Sequence, residues 1–188
     1  MNALKRSAVI AGLLLVAGCG YNTIQTYDEQ VNAAASQIKV QLQRRADLIP
    51  NLVETVKAYA KQEQTVFTEV AEARAKLAGA VQSGDLQQMA QANAQLTAPL
   101  GRLLAIAENY PQLKSNENFR ALQDQLEGTE NRIAVARQDY NETVNRYNAY
   151  IRRFPQVLTA KVLGKGPRPY FELETPGAAQ APKVDFSK

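Results

Sequence analysis

The sequence predicts an all-α protein, an antiparallel four-helix bundle of long helices followed by an extended C-terminal tail. Three observations lead there. Between Tyr21 and Phe154 apolar residues recur every three or four positions, which marks one face of a helix and not the alternating faces of a strand. Turn-forming residues divide that stretch into segments of comparable length. Beyond Phe154 the rhythm stops, and five of the eight prolines lie between Pro155 and Pro182.

The first stripe is Ile24, Tyr27, Val31, Ala34, Ile38 and Leu42. A second follows Pro50 with Leu52, Val56, Tyr59, Val66, Val70, Ala73 and Leu77, and a third runs Leu86, Met89, Asn93, Leu96, Leu100, Leu103, Ala107 and Tyr110. The fourth is the most regular: Phe119, Leu122, Leu126, Thr129, Ile133, Ala136, Tyr140, Val144, Tyr147, Ile151 and Phe154. At 1.5 Å per residue these segments make rods of roughly 40, 45, 39 and 57 Å, three of them closely matched, and matched rods with short connections pack as an antiparallel bundle.

Punctuation sets the expected breaks. Pro50, with Asp47 three residues ahead as an N-cap, reads as a chain reversal; the alternative is a kink within one long first helix, leaving a bundle of three. Ser83-Gly84-Asp85, with Gln88 in capping-box register, marks the second break. Tyr110-Pro111 ends the third segment before Ser115 or Asn116 opens the fourth. Within the third, Pro99, Gly101 and a capping Thr97 predict a kink.

At 188 residues with 45% apolar side chains, the chain is sized for one domain with appendages. With no histidine it cannot form a Ser-His-Asp or Cys-His pair or a Glu-x-x-His di-iron site, and its single cysteine permits no internal disulfide and no Cys-rich metal cluster. No Lys/Arg stripe interleaved with aromatics offers a grip for nucleic acid.

Lys5 and Arg6 precede an apolar run from Ala8 to Ala17, then Gly18, Cys19 and Gly20. The run is too short for the ~20 residues of a spanning helix and has the layout of a cleavable leader. Removing it lowers the net charge from +4 to 4 − 2 = +2. Val16-Ala17-Gly18 before the only cysteine resembles the lipobox of bacterial lipoproteins, in which the thiol takes a diacylglyceryl group and the new N-terminus an acyl chain. Cys19 is thus the expected lipid anchor, and no other cofactor is expected. Several acyl chains, at about 0.8 kcal/mol per buried methylene, hold a protein on a membrane without crossing it. Gly20 stands where an Asp would signal inner-membrane retention, so the expected address is the outer membrane facing the periplasm, with the inner membrane as the alternative. The chain then divides into a leader (1–18), a helical domain (19–154), an extended segment docking on it (155–174) and a flexible tail (175–188).

Longer motifs add a family. Arg44-Arg45-Ala46-Asp47-Leu48-Ile49-Pro50-Asn51-Leu52, Asn116-Glu117-Asn118-Phe119, the run Leu126 to Arg137, Tyr140-Asn141, Tyr147-Asn148, Phe154-Pro155, Pro169-Tyr170-Phe171-Glu172 and Lys183-Val184-Asp185-Phe186 together resemble the LemA family of bacterial membrane-associated proteins. The resemblance covers essentially the whole mature chain. It implies a mostly helical bundle with an N-terminal membrane attachment, and a family without an established enzymatic activity. Many members carry an uncleaved N-terminal helix as anchor, and the lipobox departs from that pattern.

If the chain reverses at each break, Arg44, Arg45, Asp47, Asn51, Asn116, Glu117 and Asn118 share a tip about 40 Å from the lipid-bearing end, where they form a docking surface for an envelope protein or simply cap and tie the turns. On the fourth helix Glu127, Glu130, Asn131, Arg137 and Asn141 read as a polar network fixing register, with a Glu127–Glu130 metal pair as the sharper alternative. Tyr140, Tyr147 and Tyr150 read as core packing with hydroxyls at the rim. The function this predicts is a non-enzymatic envelope adaptor or scaffold; a ligand or lipid carrier using the bundle interior is the alternative.

Overall fold

A computed structural model describes residues 20–171. The expectations for the leader, for Cys19 and for the tail beyond Phe171 lie outside the described residues. Every regular element among those described is a helix, and there are six of them, not four: α1 (Tyr21–Lys57), α2 (Gln64–Ser83), α3 (Leu86–Glu108), α4 (Pro111–Lys114), α5 (Glu117–Ile151) and α6 (Gln156–Val162).

The principal departure from the sequence reading is at Pro50, which lies inside α1. No turn exists from Asp47 to Asn51. The reason is the stripe on either side: Ala46, Ile49, Leu52, Val53 and Val56 are all buried, while Pro50 faces solvent. A proline inside a helix costs about 3 kcal/mol, and each large apolar side chain buried by continuing returns roughly 1.5–3 kcal/mol, so continuation wins. The chain turns at residues 58–63 instead, where the Tyr59 and Ala60 N–H groups both close on the Val56 carbonyl, at 3.0 and 2.9 Å. Nothing in Ala58-Tyr59-Ala60-Lys61-Gln62-Glu63 announces this, since the stretch has neither glycine nor proline.

The remaining breaks have local causes. α2 stops at Gly84, whose φ of +74° is the left-handed C-cap that glycine adopts without a steric penalty. Asp85 then caps α3, accepting from the Gln87 and Gln88 N–H groups at 2.8 and 3.1 Å. Gln88 donates its side-chain amide to Asp85 Oδ2 at 3.1 Å, and the Asp85 N–H donates to Ser83 Oγ at 3.3 Å, so the reciprocal arm of the expected capping box is replaced by these two bonds. α3 passes through Pro99, and Thr97 starts no new helix; its hydroxyl bonds back to the Asn93 carbonyl. Pro111 occupies the first turn of α4, where its missing N–H is not needed. Asn116 caps α5 by accepting from the Phe119 N–H at 3.0 Å, with Glu117 adding negative charge to the first turn.

The described residues form two compact units. In one, residues up to Leu48 pack with Gln123–Phe171. There α1 and α5 run antiparallel, since Tyr27 meets Tyr150 edge-to-face at 5.2 Å while Arg45 meets Glu130. Ile24, Val31, Ile38, Leu42, Ile133, Val144 and Tyr147 form its core. In the other, Ile49–Leu122, α2 packs on α3 through Val70, Leu77, Met89, Leu96 and Leu103, and Arg102 pairs with Glu69 at 2.7 Å.

Candidate functional site

The densest polar chemistry in the first unit surrounds one carboxylate. Asp28, on the apolar stripe of α1, is 6% exposed. Its Oδ2 accepts from Lys165 Nζ at 2.6 Å, and its Oδ1 accepts from Arg168 Nη2 at 2.7 Å and Nε at 3.1 Å. Burial alone would raise its pKa. Hydrogen bonds from Lys165 and then Arg168, with their charges, outweigh burial and hold the carboxyl below its ordinary value. The hydrogen bond to Asp28 in turn raises the Arg168 guanidinium.

Lys165 and Arg168 belong to a strap, residues 165–171, that lies along α5 without forming a helix. Asn148 donates from Nδ2 to the Arg168 carbonyl at 2.9 Å and accepts the Arg168 N–H on Oδ1 at 2.8 Å. Asn141 treats Phe171 the same way, at 3.1 and 2.8 Å. The register follows from geometry: seven residues of helix rise about 10.5 Å, and three residues of extended chain span about 10 Å. The Tyr140 and Tyr147 hydroxyls donate to the carbonyls of Pro169 and Gly166, at 2.9 and 3.2 Å. Burial raises the pKa of both phenols. The Arg137 guanidinium lies 5.0 Å from the Phe171 ring centroid. The strap is therefore held twice over, by its backbone through Asn141, Asn148, Tyr140 and Tyr147, and by its own side chains through Lys165 and Arg168 on Asp28 and the buried Phe171 ring.

The residues expected at a tip divide between the two units. Arg44 and Asp47 are exposed on α1, Asp47 accepting from Gln43 at 2.8 Å. Arg45 is buried and pairs with Glu130; burial lowers its pKa, and the charge and hydrogen bond of Glu130 offset part of that. In the second unit Asn51 is exposed within α1, and Glu117 and Asn118 are exposed in the first turn of α5. Asn116 caps that turn and donates to the Tyr59 hydroxyl at 3.1 Å. The premise that placed these residues together, a turn at Pro50, is corrected by the unbroken helix.

On α5, Glu130 is engaged by Arg45, and Glu127 accepts from Gln123 at 3.1 Å. Among the described residues no group of three or more Cys, Asp and Glu is placed to hold a metal ion. Nor, among them, is any helix long and apolar enough to cross a membrane.

A groove runs between α1 and α5 in the first unit, about 490 Å³ and mostly apolar, lined by Ala34, Gln37 and Gln41 on one side and Asn131, Arg132, Val135, Ala136 and Asp139 on the other. Val135 is 57% exposed there. Gln41 Oε1 is buried without a hydrogen-bond donor among the described residues. Arg132 and Asp139, seven residues apart and hence on one face, are both exposed. Sequence reading passed over this groove and over Asp28, Lys165 and Arg168. Two signals were present: an acid on an apolar stripe between Ile24 and Val31, and the Tyr-Asn pair repeated at heptad spacing.

A model of the LemA family matches residues 34–186. The chain is also similar to two proteins of Paramagnetospirillum magneticum strain AMB-1, magnetosome protein MamQ 1 and magnetosome protein MamQ 2. Each is 29% identical over 200 residues, covering 94% of this chain and 72% of the relative. Magnetosome protein MamQ of Magnetospirillum gryphiswaldense is 28% identical with the same coverage.

Proposed function

The chain belongs to the LemA family, and on that premise we propose a non-enzymatic lipoprotein of the bacterial envelope, anchored by acyl chains on Cys19, that takes an amphipathic helix of a protein partner into the groove between α1 and α5. The groove carries the reading. Two antiparallel helices leave a channel whose floor is Ala34 and Ala136 and whose edge is the exposed Val135, a shape that a third helix fills with apolar side chains. The buried Gln41 carbonyl calls for a donor from the partner, because an unmade hydrogen bond there costs about 1–3 kcal/mol. Arg132 and Asp139 ask for an acid and a base, also a heptad apart. The groove opens to solvent, with Val135 exposed at its edge, and an acyl chain calls for a closed apolar interior, so the adaptor is favoured over the carrier.

Of the residues expected at a tip, Arg44, Asp47, Asn51, Glu117 and Asn118 keep exposed side chains that a partner can reach, while Arg45 and Asn116 hold the fold. The outer membrane, facing the periplasm, is the proposed address, from Gly20 after the lipidated cysteine.

The test places a photo-crosslinking side chain at Val135 and, as a control, at Val40, which is equally exposed at 56%. A protein adduct in cells from Val135 alone supports the reading. Equal capture at both positions, or none, contradicts it. A lipid adduct at Val135 would favour the carrier, and an adduct of doubled chain mass would assign the groove to self-association.

A further inference from the structure

We infer that α6 and the residues flanking it form a second membrane contact, a basic and apolar surface that seats on an anionic lipid bilayer. The inference deepens the membrane reading above and rests on it.

α6 is fixed to its unit by Thr159 and Ala160, both buried. That leaves Leu158 and Val162, one turn apart, facing outward at 45% and 83% exposure, with Phe154 just ahead of the helix at 78%. Three large exposed apolar side chains thus fall within nine residues, a local concentration of exposed apolar surface of the kind that marks interaction sites. α6 has only seven residues, too few to span a bilayer but enough to lie in its interface.

Charge selects the occupant. From Thr143 to Phe171 the chain contains no Asp or Glu. Arg146, Lys165 and Arg168 are paired with Glu142 or Asp28, but Arg152, Arg153 and Lys161 are exposed and have no ion-pair partner among the described residues. Exposed apolar side chains and unpaired cations within the same stretch, 152–162, match a layer of anionic headgroups over acyl chains. The chain's own sequence brings the same surface to the expected anchor. Gly20, the residue after Cys19, packs so closely on the start of this region that a Cβ there would stand 2.9 Å from the Tyr150 hydroxyl and 3.0 Å from Gln156 Cγ. A chain tethered at residue 19 therefore has no slack linker between its tether and α6, and Tyr21 adds another exposed ring at 46%.

The chain contains no tryptophan, so an introduced one reports alone. The mature protein carrying Val162→Trp, purified from membranes, is reconstituted into vesicles of phosphatidylethanolamine and phosphatidylglycerol with brominated acyl chains; Val135→Trp is the control. The expected result is a blue-shifted emission quenched by bromine for V162W and an unquenched one for V135W. Adding Arg152→Glu, Arg153→Glu and Lys161→Glu should abolish the quenching while the protein still floats with the vesicles. If V162W floats but stays unquenched, α6 faces something other than lipid, such as a protein, and the inference fails with the anchor intact. If the protein does not float at all, the anchor and this surface fail together.

Discussion

Asn148 holds the backbone of Arg168 with both halves of its side-chain amide, donating to its carbonyl at 2.9 Å and accepting its N–H at 2.8 Å. In effect one side chain does for the strap what a neighbouring β-strand does for an edge residue. Replacing it by leucine, which is close in size, removes both bonds and leaves the strap backbone to water. Asn148→Leu should destabilise the unit by about 1–3 kcal/mol. It should also expose the Lys165–Gly166 bond to trypsin, read by limited proteolysis; an unchanged cleavage pattern would mean that the strap is held by other contacts.

Asp28 makes stability depend on acid. Its folded pKa lies below the unfolded carboxylate value of about 3.9, so its contribution is fully present above that value and lost as pH falls through the folded one. Urea titrations should therefore show a midpoint that declines below about pH 4, and Asp28→Asn should flatten that decline. At neutral pH the same variant should lose about 1–3 kcal/mol, less than a fully buried pair would, because Lys165 and Arg168 stay partly in water.

Tyr140 and Tyr147 act at the other end of the scale. Their phenols titrate above the ordinary value of about 10, so their contribution is complete below it and is lost as pH rises through the folded values. A double Tyr140→Phe, Tyr147→Phe variant should unfold with a shallower loss of stability in alkali, as followed by circular dichroism.

Pro50 gives a test whose sign is diagnostic. Within a continuous helix, Pro50→Ala restores a backbone N–H and a ladder bond and should stabilise the protein by about 1–3 kcal/mol. At a chain reversal the same substitution would be neutral or harmful. Thermal unfolding decides between them.

The cap of α3 offers a smaller effect. Asp85→Ala removes two hydrogen bonds to backbone N–H groups and should cost about 1 kcal/mol. Asp85→Asn, which keeps an acceptor, should recover most of it.

Helicity and the breaks at Gly84, Pro111 and Asn116 were legible because each has a local cause: a left-handed glycine, a proline in a first turn, a capping amide. At Pro50 the sequence left two outcomes, reversal or one long helix, and the choice between them rests on the burial of Ile49 and Leu52, which depends on what the helix packs against. The turn at residues 58–63 has no local signal at all. Long-range pairing was equally hidden. Asp28 and Arg168 are 140 residues apart, and sequence spacing cannot show that they meet. The same holds for Gln156–Val162, where proline and glycine on either side masked a short helix. Of the groove, the α1 and α5 stripes were readable, but which flank stayed open was not.

The intact mass of the protein extracted from native membranes tests the membrane-anchored reading most directly. The expected species is a chain beginning at Cys19, heavier than its residues by a diacylglyceryl group and one N-linked acyl chain. A chain retaining Met1 to Gly18, or a Cys19 with an unmodified sulfur, would contradict it.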